Sequence, residues 1–440
     1  MTTFKSEFLR ELSSRGFIQQ TSEPAAALDA LAQAPGLTAY IGFDCTAPSL
    51  HVGSLIQIMM LYWLQHYGHR PIALMGGGTT RVGDPSGKDE SRRLLTDDDI
   101  AANLAGIRAV FERFHRFANA QRNVIFRNNA DWLDSLKYIK FLRDVGRNFS
   151  VNRMLAFDSV KLRLDRQQEL SFLEFNYMIL QAYDFVELYE RDHCMLQMGG
   201  SDQWGNIVNG IELGRRMKNA QLFGLTTQLI ATSSGAKMGK TAAGTVWLDP
   251  EMTSPYDYWQ YWRNREDSDV VRFLKLFTVL PLDEIERLAR LQGQEINDAK
   301  KVLATEATAL VHGRAAAIAA AATAGQAFQK REFGPMSITV GSPDMSSPNL
   351  TASMRTFDIP RDDLDRGVGV LTAFANITQL VSSKREARDR IKQGGLRVND
   401  RVVVDEHAKL TWHDVTTDGV IKLSRGKQDV LLRPVGGAQD

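Results

Sequence analysis

The sequence predicts an α/β fold, in which a Rossmann-like doubly wound parallel sheet is followed by an α-helical domain and a small α+β domain. Short β-rich runs alternate with longer helical patterns from about residue 38 to 232, which is typical of parallel strands joined by helical crossovers. Helical periodicity then dominates, and a stretch rich in Pro, Gly and Ser separates it from the last segment. We therefore expect domains at 1–250, 251–333 and 350–440, with a linker at 334–349.

The individual elements follow from the same patterns. In the first domain we expect strands at 38–43, 71–75, 124–126, 195–198 and 225–231, and helices at 55–67, 135–146 and 171–189. A further helix follows the strand at 195–198 and runs to about residue 217. The last segment has a helical pattern at 369–380, a capping box at 383–386 that opens a second helix, and strands at 396–404, 420–423 and 430–432. Ligands of doubly wound sheets bind beyond the carboxyl ends of the strands, so the polar residues after each strand are candidate contacts.

Composition narrows the class of protein. The 440 residues are 43% hydrophobic and 24% charged, which excludes intrinsic disorder, and the net charge of +1 means that nucleic-acid binding would require a local basic patch. Cys45 and Cys194 are too few for a disulfide framework or a four-cysteine zinc site. We expect a cytoplasmic protein with no export signal, no membrane span and no metal site of its own.

The first candidate site follows the first strand, where His51 and Gly53 lie at the entrance to a helix. A helix N-terminus offers free N–H groups and a positive dipole end, Gly53 allows close approach to the backbone, and Thr46 and His51 can donate to phosphate oxygens. This combination suits a nucleoside triphosphate. Taken alone, it is also compatible with a helix-capping His beside a packing Gly.

The second candidate site is a Gly-bearing loop at 234–241, which carries Lys237 and Lys240 three residues apart. Ammonium groups on such a loop can close over a triphosphate and neutralise the charge that develops during nucleotidyl transfer. Alone, the loop is also compatible with an ordinary solvated basic loop.

Two other nucleotide motifs are excluded. A Walker loop ending at Lys88 would need Gly where Val82 stands, and Asp89 replaces its Ser or Thr. A dinucleotide fingerprint that starts at Gly76 would need Gly where Arg81 stands. The sequence therefore supports neither a P-loop ATPase nor a nicotinamide oxidoreductase.

Together, the two candidate sites resemble the signatures of the class I aminoacyl-tRNA synthetases. His-Val-Gly-Ser at 51–54 matches His-Ile-Gly-His, and Lys-Met-Gly-Lys-Thr at 237–241 matches Lys-Met-Ser-Lys-Ser. The likeness is closest to the bacterial-type tyrosyl-tRNA synthetases, and it rests on long runs at 40–55, 82–88, 177–184 and 199–206. The resemblance implies a homodimeric ligase with no tightly bound cofactor. Its reaction would use ATP with Mg²⁺ to convert L-tyrosine to tyrosyl-adenylate and then transfer the tyrosyl group to tRNA(Tyr).

The resemblance also assigns roles to individual residues. It implies that Tyr40 and Asp184 bind the tyrosine hydroxyl group, and that Asp84, Tyr177 and Gln181 bind the tyrosine ammonium group. Asn129 and Gln203 would contribute further amides to the pocket. Thr46, His51, Lys237 and Lys240 would stabilise the charge that develops in the reaction. Nucleotide binding would also involve Gly42, Asp44, Gly53, Ser54, Lys88, Arg92 and Met238. Independently, the spacing of Tyr177, Gln181 and Asp184 places them on one helical face, although a core Tyr and a surface Asp would fit that spacing too.

Two departures from the signatures stand out. Ser54 replaces the second His of the first motif, which contacts the ribose of ATP in relatives, so nucleotide affinity or rate is expected to differ. Gly239 and Thr241 replace two Ser positions of the second motif, while both lysines are kept.

A basic segment lies near the carboxyl terminus. Residues 384–401 contain three acidic and seven basic side chains. The basic ones are Lys384, Arg385, Arg388, Arg390, Lys392, Arg397 and Arg401. By itself the segment could be a solvated helix face, but it also resembles a compact RNA-binding module appended to tyrosyl enzymes.

Three alternatives remain for the function of the whole chain. They are a tryptophanyl-type ligase, a free nucleotidyltransferase and an inactive paralogue that only binds structured RNA.

Overall fold

A computed structural model describes residues 4–85, 95–114, 124–230, 238–241, 244–332, 355–416, 419–426 and 428–435. The chain divides into two compact units. The first comprises Met1–Lys240, Val246–Asp249 and Arg265–Ala299, and the second comprises Thr241–Thr245, Pro250–Asn264 and Lys300–Asp440. The three-domain division stays a prediction, and the predicted linker at 334–349 lies outside the described residues.

Strands and helices alternate through the first unit, and short strands return near the carboxyl terminus. In chain order the strands are β1 (Gln20–Thr21), β2 (Thr38–Phe43), β3 (Arg70–Met75), β4 (Ile125–Asn128), β5 (Cys194–Gly200), β6 (Phe223–Thr227), β7 (Lys240–Thr241), β8 (Gly244–Thr245), β9 (Thr356–Pro360), β10 (Val368–Gly369), β11 (Leu396–Val398), β12 (Arg401–Val402), β13 (Lys409–Leu410), β14 (Ile421–Arg425) and β15 (Gln428–Val435). The α-helices are α1 (Glu7–Arg15), α2 (Ala25–Leu31), α3 (Leu55–His66), α4 (Asp97–Arg113), α5 (Ala130–Leu133), α6 (Tyr138–Asp144), α7 (Val151–Leu155), α8 (Asp158–Asp165), α9 (Phe172–Asp192), α10 (Trp204–Lys218), α11 (Pro255–Arg263), α12 (Asp267–Phe277), α13 (Leu282–Ala289), α14 (Ile296–His312), α15 (Arg314–Glu332), α16 (Arg361–Arg366), α17 (Val370–Thr372) and α18 (Lys384–Lys392).

The first unit is built on a six-stranded sheet with the order β1-β6-β5-β2-β3-β4. Strands β2 to β6 are parallel, and the edge strand β1 runs antiparallel to β6. The chain moves outward from β2 to β3 and β4, and then returns to β5 on the other side of β2. The sheet is therefore doubly wound, which confirms the predicted fold class. The two-residue strand β1 is too short for its pattern to be recognised in the sequence.

Two helices place the site residues relative to this sheet. Ten of the twelve residues of α3 are buried, because this helix is apolar around its whole circumference and packs into the core. Helix α9 begins with a capping box between Ser171 and Glu174 and packs along α10. Helix α9 also contacts β5, so it lies beside the sheet.

The second unit contains helices α11 and α15, which pack together, and a five-stranded sheet with the order β12-β11-β14-β15-β9. Ser383 caps α18 by accepting a bond from the Glu386 backbone, but the Glu386 carboxylate bonds Ser382, so the predicted capping box forms only in part. The predicted helix at 369–380 is a short α17 continued by a π-helical turn, and the predicted strand at 396–404 is the hairpin of β11 and β12. In the described part of the chain, no helix combines the length and apolar character needed to cross a membrane.

Candidate functional site

A cleft of about 310 Å³ opens at the carboxyl ends of β2 and β5, where the strand order reverses. It lies entirely within the first unit. Twelve of the predicted site residues line it, namely Tyr40, Gly42, Asp44, Thr46, His51, Ser54, Asp84, Asn129, Tyr177, Gln181, Asp184 and Gln203. The fold thus brings together residues that are spread over more than 160 positions of the sequence.

Asp184 lies at the inner end of the cleft, where it is 2% exposed. Its carboxylate accepts bonds from Trp132 Nε1 at 2.7 Å and from Asn129 Nδ2 at 3.0 Å. Burial raises the pKa of Asp184 to about 7, against the lowering effect of these two bonds. The cleft therefore contains a buried acid that changes its charge near neutral pH.

Tyr40 lies in the same end of the cleft and is 1% exposed. Its hydroxyl group is buried and makes no hydrogen bond to any described residue. Burial, reinforced by the charge of Asp184, raises the pKa of this phenol well above its ordinary value. A hydroxyl that stays protonated and a carboxylate beside it can together bind a ligand that carries its own hydroxyl group.

A hydrogen-bond network connects this inner end to the middle of the cleft. Asn129 Nδ2 donates to Asp184 and also to Thr79 Oγ1 at 2.9 Å, while Asn129 Oδ1 accepts from a backbone N–H after β3. Thr79 Oγ1 donates to Asp44 at 2.9 Å, and the Tyr177 hydroxyl donates to the other oxygen of Asp44 at 3.1 Å. Because the Tyr177 proton points to Asp44, the Tyr177 oxygen can act as an acceptor toward a ligand.

A row of amides follows along the wall formed by α9 and α10. Gln203 Nε2 donates to Asp84 at 2.7 Å, and Gln203 Oε1 accepts from Gln181 Nε2 at 3.2 Å. Asn206 Nδ2 donates to both glutamine carbonyls, at 2.9 Å to Gln181 and 3.2 Å to Gln203. This wall therefore offers oxygen atoms that suit a cation such as an ammonium group.

At the mouth of the cleft, His51 and Ser54 of the first motif line the opening, and Met238 and Gly239 of the second motif pack against the first. His51 Nδ1 accepts a bond from the Gly53 backbone at 2.9 Å, which leaves Nε2 as the donor. A Cβ atom on Gly53 would lie 2.6 Å from His51 Cε1 and 3.2 Å from the Met238 carbonyl oxygen. Gly239 has a φ of +87°, and its Cβ would lie 3.2 Å from the Gly53 nitrogen. His51 thus caps the turn at Val52–Ser54 and also lines the cleft. The capping interpretation is confirmed, and the contact with a nucleotide stays a prediction.

The comparisons with known proteins agree with this geometry. A family model described as tRNA synthetases class I (W and Y) matches residues 33–329. The tyrosine--tRNA ligase of Rhodopseudomonas palustris is 60% identical, covering 98% of this chain and 100% of that protein, and the one from Rhizobium meliloti is 57% identical, covering 99% and 100%. The chain belongs to the tyrosyl branch of the class I tRNA synthetases. A C-terminally truncated mitochondrial tyrosyl-tRNA synthetase from Aspergillus nidulans has a similar structure, with 31% identity, a TM-score of 0.65 and coverage of 74% of this chain and 94% of that one.

The remaining predicted residues of this tRNA synthetase are not among the described residues that line the cleft. Lys88, Arg92 and Lys237 lie outside the described residues, and Lys240 is described only as backbone in β7. Met238 is 5% exposed and lies behind the mouth rather than among the residues that line the cleft. The basic residues predicted for RNA binding lie on α18, β11 and β12 of the second unit, and every one is exposed: Lys384, Arg385, Arg388, Arg390, Lys392, Arg397 and Arg401.

Four residues of the site are not apparent from the sequence patterns. Gln197 is 2% exposed, lines the cleft and has an amide oxygen that bonds no described residue. A polar residue in the middle of an apolar strand was the available signal for Gln197. Trp132, Thr79 and Asn206 contact other site residues through elements that only the folded protein brings together.

Proposed function

We propose that this protein activates L-tyrosine with ATP and transfers the tyrosyl group to the terminal ribose of tRNA(Tyr). The observation that supports this most strongly is the inner end of the cleft, where the hydroxyl of Tyr40 and the carboxylate of Asp184 are both buried. The proposed occupant is the phenol group of tyrosine. Phenylalanine would leave the Tyr40 hydroxyl without a partner and would give Asp184 no donor beyond Trp132 and Asn129, which is costly in an environment of low dielectric, so tyrosine is selected.

The ammonium and nucleotide groups of the substrates are assigned to the rest of the cleft. Asp84, Tyr177 and Gln181 would accept bonds from the ammonium group, which holds the tyrosine carboxylate toward the mouth. Nucleotide phosphates would lie near the helix entrance after β2, where donors from side chains and backbone meet. The proposed nucleotide contacts are Gly42, Asp44, Thr46, His51, Gly53, Ser54, Lys88, Arg92, Lys237, Met238 and Lys240.

The proposed chemistry consists of two transfers. A tyrosine carboxylate oxygen attacks the α-phosphorus of ATP, and the bond to the β-phosphate oxygen breaks, which releases pyrophosphate. A ribose hydroxyl of the tRNA then attacks the tyrosyl carbonyl, forming an ester and releasing AMP. The protein contributes positioning and stabilisation of the negative charge on pyrophosphate, for which we propose Thr46, His51, Lys237 and Lys240.

Mg²⁺ is proposed to arrive with ATP, as part of that substrate. Phosphate oxygens and water are the ligands that this ion commonly takes in nucleotide sites. Among the described residues there is no group of three or more His, Cys, Asp or Glu side chains that could hold a metal ion.

A homodimer is proposed from an apolar surface on the first unit. Helices α6, α7 and the start of α9 share one apolar core, and they expose Tyr138, Ile139, Leu142, Val151, Leu155, Phe172 and Leu173. Large exposed apolar surfaces mark interaction sites, and a second copy would cover this one symmetrically. Sedimentation of the Ile139→Glu variant, with Ile318→Glu as an exposed control, should give a monomer for the first and a dimer for the second. Dimers of both variants would argue against this surface.

The proposed tRNA contact is the basic segment of the second unit, and the proposed location is the cytoplasm. The exposure of all seven basic side chains supports phosphate binding. Replacing Arg385 and Lys392 with Glu should raise the KM for tRNA, and leave the tyrosine activation step unchanged.

Tyrosine-dependent exchange of labelled pyrophosphate into ATP tests the function directly. The assay is run without tRNA, and phenylalanine and tryptophan are used in parallel. Exchange with tyrosine alone is the expected result, whereas exchange with tryptophan would indicate a tryptophanyl-type ligase. No exchange by folded protein that still binds tRNA would indicate a paralogue that only binds RNA.

A further inference from the structure

Asn206 lies behind the cleft wall and does not line the cleft. It is the third residue of α10, it is 4% exposed, and its Nδ2 donates to the carbonyl oxygens of both Gln181 and Gln203. Gln181 Nε2 donates to Gln203 Oε1, and Gln203 Nε2 donates to Asp84. All four bonds therefore run in one direction, from Asn206 toward the carboxylate.

The direction of these bonds matters because of the ligand's chemistry. An ammonium group has three donors and no acceptor, so a site that binds it must present oxygen atoms. A glutamine amide can present either its oxygen or its nitrogen, and only its neighbours decide which of the two faces the ligand. A reversed amide would place a second donor against the ammonium group.

We propose that Asn206 is a positioning residue that fixes the orientation of the Gln181 and Gln203 amides for binding the ammonium group of tyrosine. This inference rests on the proposed function, which places that group at Asp84, Tyr177 and Gln181. The donor Nδ2 of Asn206 satisfies one lone pair of each glutamine oxygen, and the second lone pair of Gln181 stays available to the ligand.

The Asn206→Asp substitution tests this idea without a change in side-chain shape. A carboxylate can only accept, so both glutamine amides must turn their nitrogens toward it. Gln203 then presents an oxygen to Asp84, and Gln181 presents less acceptor character to the cleft. The KM for tyrosine should rise by about 10- to 100-fold, as expected for the reversal of a bond to a charged group, whereas the KM for ATP should stay the same. Asn206→Ala, which removes the donor without reversing it, should have a smaller effect than Asn206→Asp.

Two small inhibitors separate positioning from simple packing. Tyramine and 4-ethylphenol differ only in the ammonium group, and both are tested as competitors of tyrosine in the exchange assay. The Ki of tyramine should rise in Asn206→Asp in parallel with the KM for tyrosine, while the Ki of 4-ethylphenol should not change. Equal increases for both compounds, or a larger effect of Asn206→Ala than of Asn206→Asp, would overturn the proposal.

Two control variants complete the test. Asn209 lies one turn further along α10, is 5% exposed and bonds none of the cleft residues among the described contacts. The Asn209→Asp variant should therefore leave the KM for tyrosine unchanged, even if it lowers the melting temperature. Gln181→Ala tests the proposed ammonium site itself. A normal KM for tyrosine in Gln181→Ala would refute the proposed ammonium site, whereas a raised KM there and a normal one in folded Asn206→Asp would refute only the role of Asn206.

Discussion

The inner end of the cleft and its mouth differ in the contacts that hold their residues in place. At the inner end, buried side chains on strands and helices carry the chemistry, and Asp184 is held by two donors, one of which is itself fixed by further bonds. At the mouth, His51 accepts a bond from a backbone N–H, Gly53 leaves no space for a Cβ beside the His51 ring, and Gly239 has a positive φ. Substitutions at the inner end should therefore act through charge and desolvation, and substitutions at the mouth should act through sterics and backbone conformation.

The largest effect is expected for tyrosine selection at the inner end. Asp184→Asn should lower kcat/KM for tyrosine by about 10²- to 10³-fold, because an amide replaces the charged acceptor that the phenol requires. Pyrophosphate exchange with tyrosine and phenylalanine measures this change. Asp192→Asn is the matched control, since Asp192 is a buried acid on the same helix that pairs with Arg127. If both variants lost selectivity equally, the effect would belong to helix α9 rather than to the carboxylate.

A smaller but kinetically distinct effect is expected at the mouth. Gly53→Ala should slow adenylate formation by about 10- to 100-fold, because the new methyl group displaces the His51 ring by a fraction of an ångström or more. The KM for tyrosine should stay unchanged, and single-turnover kinetics distinguishes the two parameters. Gly369→Ala, at a position with open space and an ordinary φ, serves as the control. A raised KM for tyrosine in Gly53→Ala would show that the two ends of the cleft are coupled.

The raised pKa of Asp184 also predicts that a neutral replacement stabilises the fold. The pKa of Asp184 is about 7 in the folded protein, so as the pH rises the unfolded chain loses this proton at a lower pH than the folded chain does. The free energy of unfolding therefore decreases between about pH 4 and 7. At pH 8 the neutral variant Asp184→Asn should therefore be more stable than the parent by about 1–3 kcal/mol, after the loss of one accepted bond. Urea denaturation across this pH range should show the difference shrinking as the pH falls and changing sign between about pH 5 and 6. A pH-independent difference would mean that the acid is charged throughout.

The smallest effect is expected for the second motif. Gly239→Ser restores the residue that the general signature has, but a φ of +87° costs a side-chain-bearing residue about 1–2 kcal/mol. The rate of adenylate formation should fall about threefold to tenfold in Gly239→Ser. It should fall by the same factor in Gly239→Ala, because the backbone conformation is the cause in both variants. A faster Gly239→Ser variant would show that the loop adopts another conformation during the reaction.

Much of the cleft was predictable because strand ends in a doubly wound sheet converge on one edge. Residues such as Asp44, Asp84 and Gln203 lie in the segments that follow strands, so their placement follows from the order of the elements. The spacing of Tyr177, Gln181 and Asp184 likewise follows from the helical period, and all three line the cleft. The contacts of Trp132 and Asn206 could not be predicted in this way, because a bond between side chains on separate elements depends on packing.

The sequence by itself determined the fold class, the family and the identity of twelve residues that line the cleft, since these depend on periodicity and on motifs that are local in the chain. Only the tertiary structure decided the raised pKa of Asp184, the direction of the amide bonds and the constraints on positions 53 and 239. Each of these is set by the folded arrangement of the atoms. Burial raises the pKa of Asp184, and Asn206 orients two amides from the neighbouring elements. A Cβ atom on Gly53 would clash with the folded-back His51 ring, and the backbone of Gly239 has a positive φ.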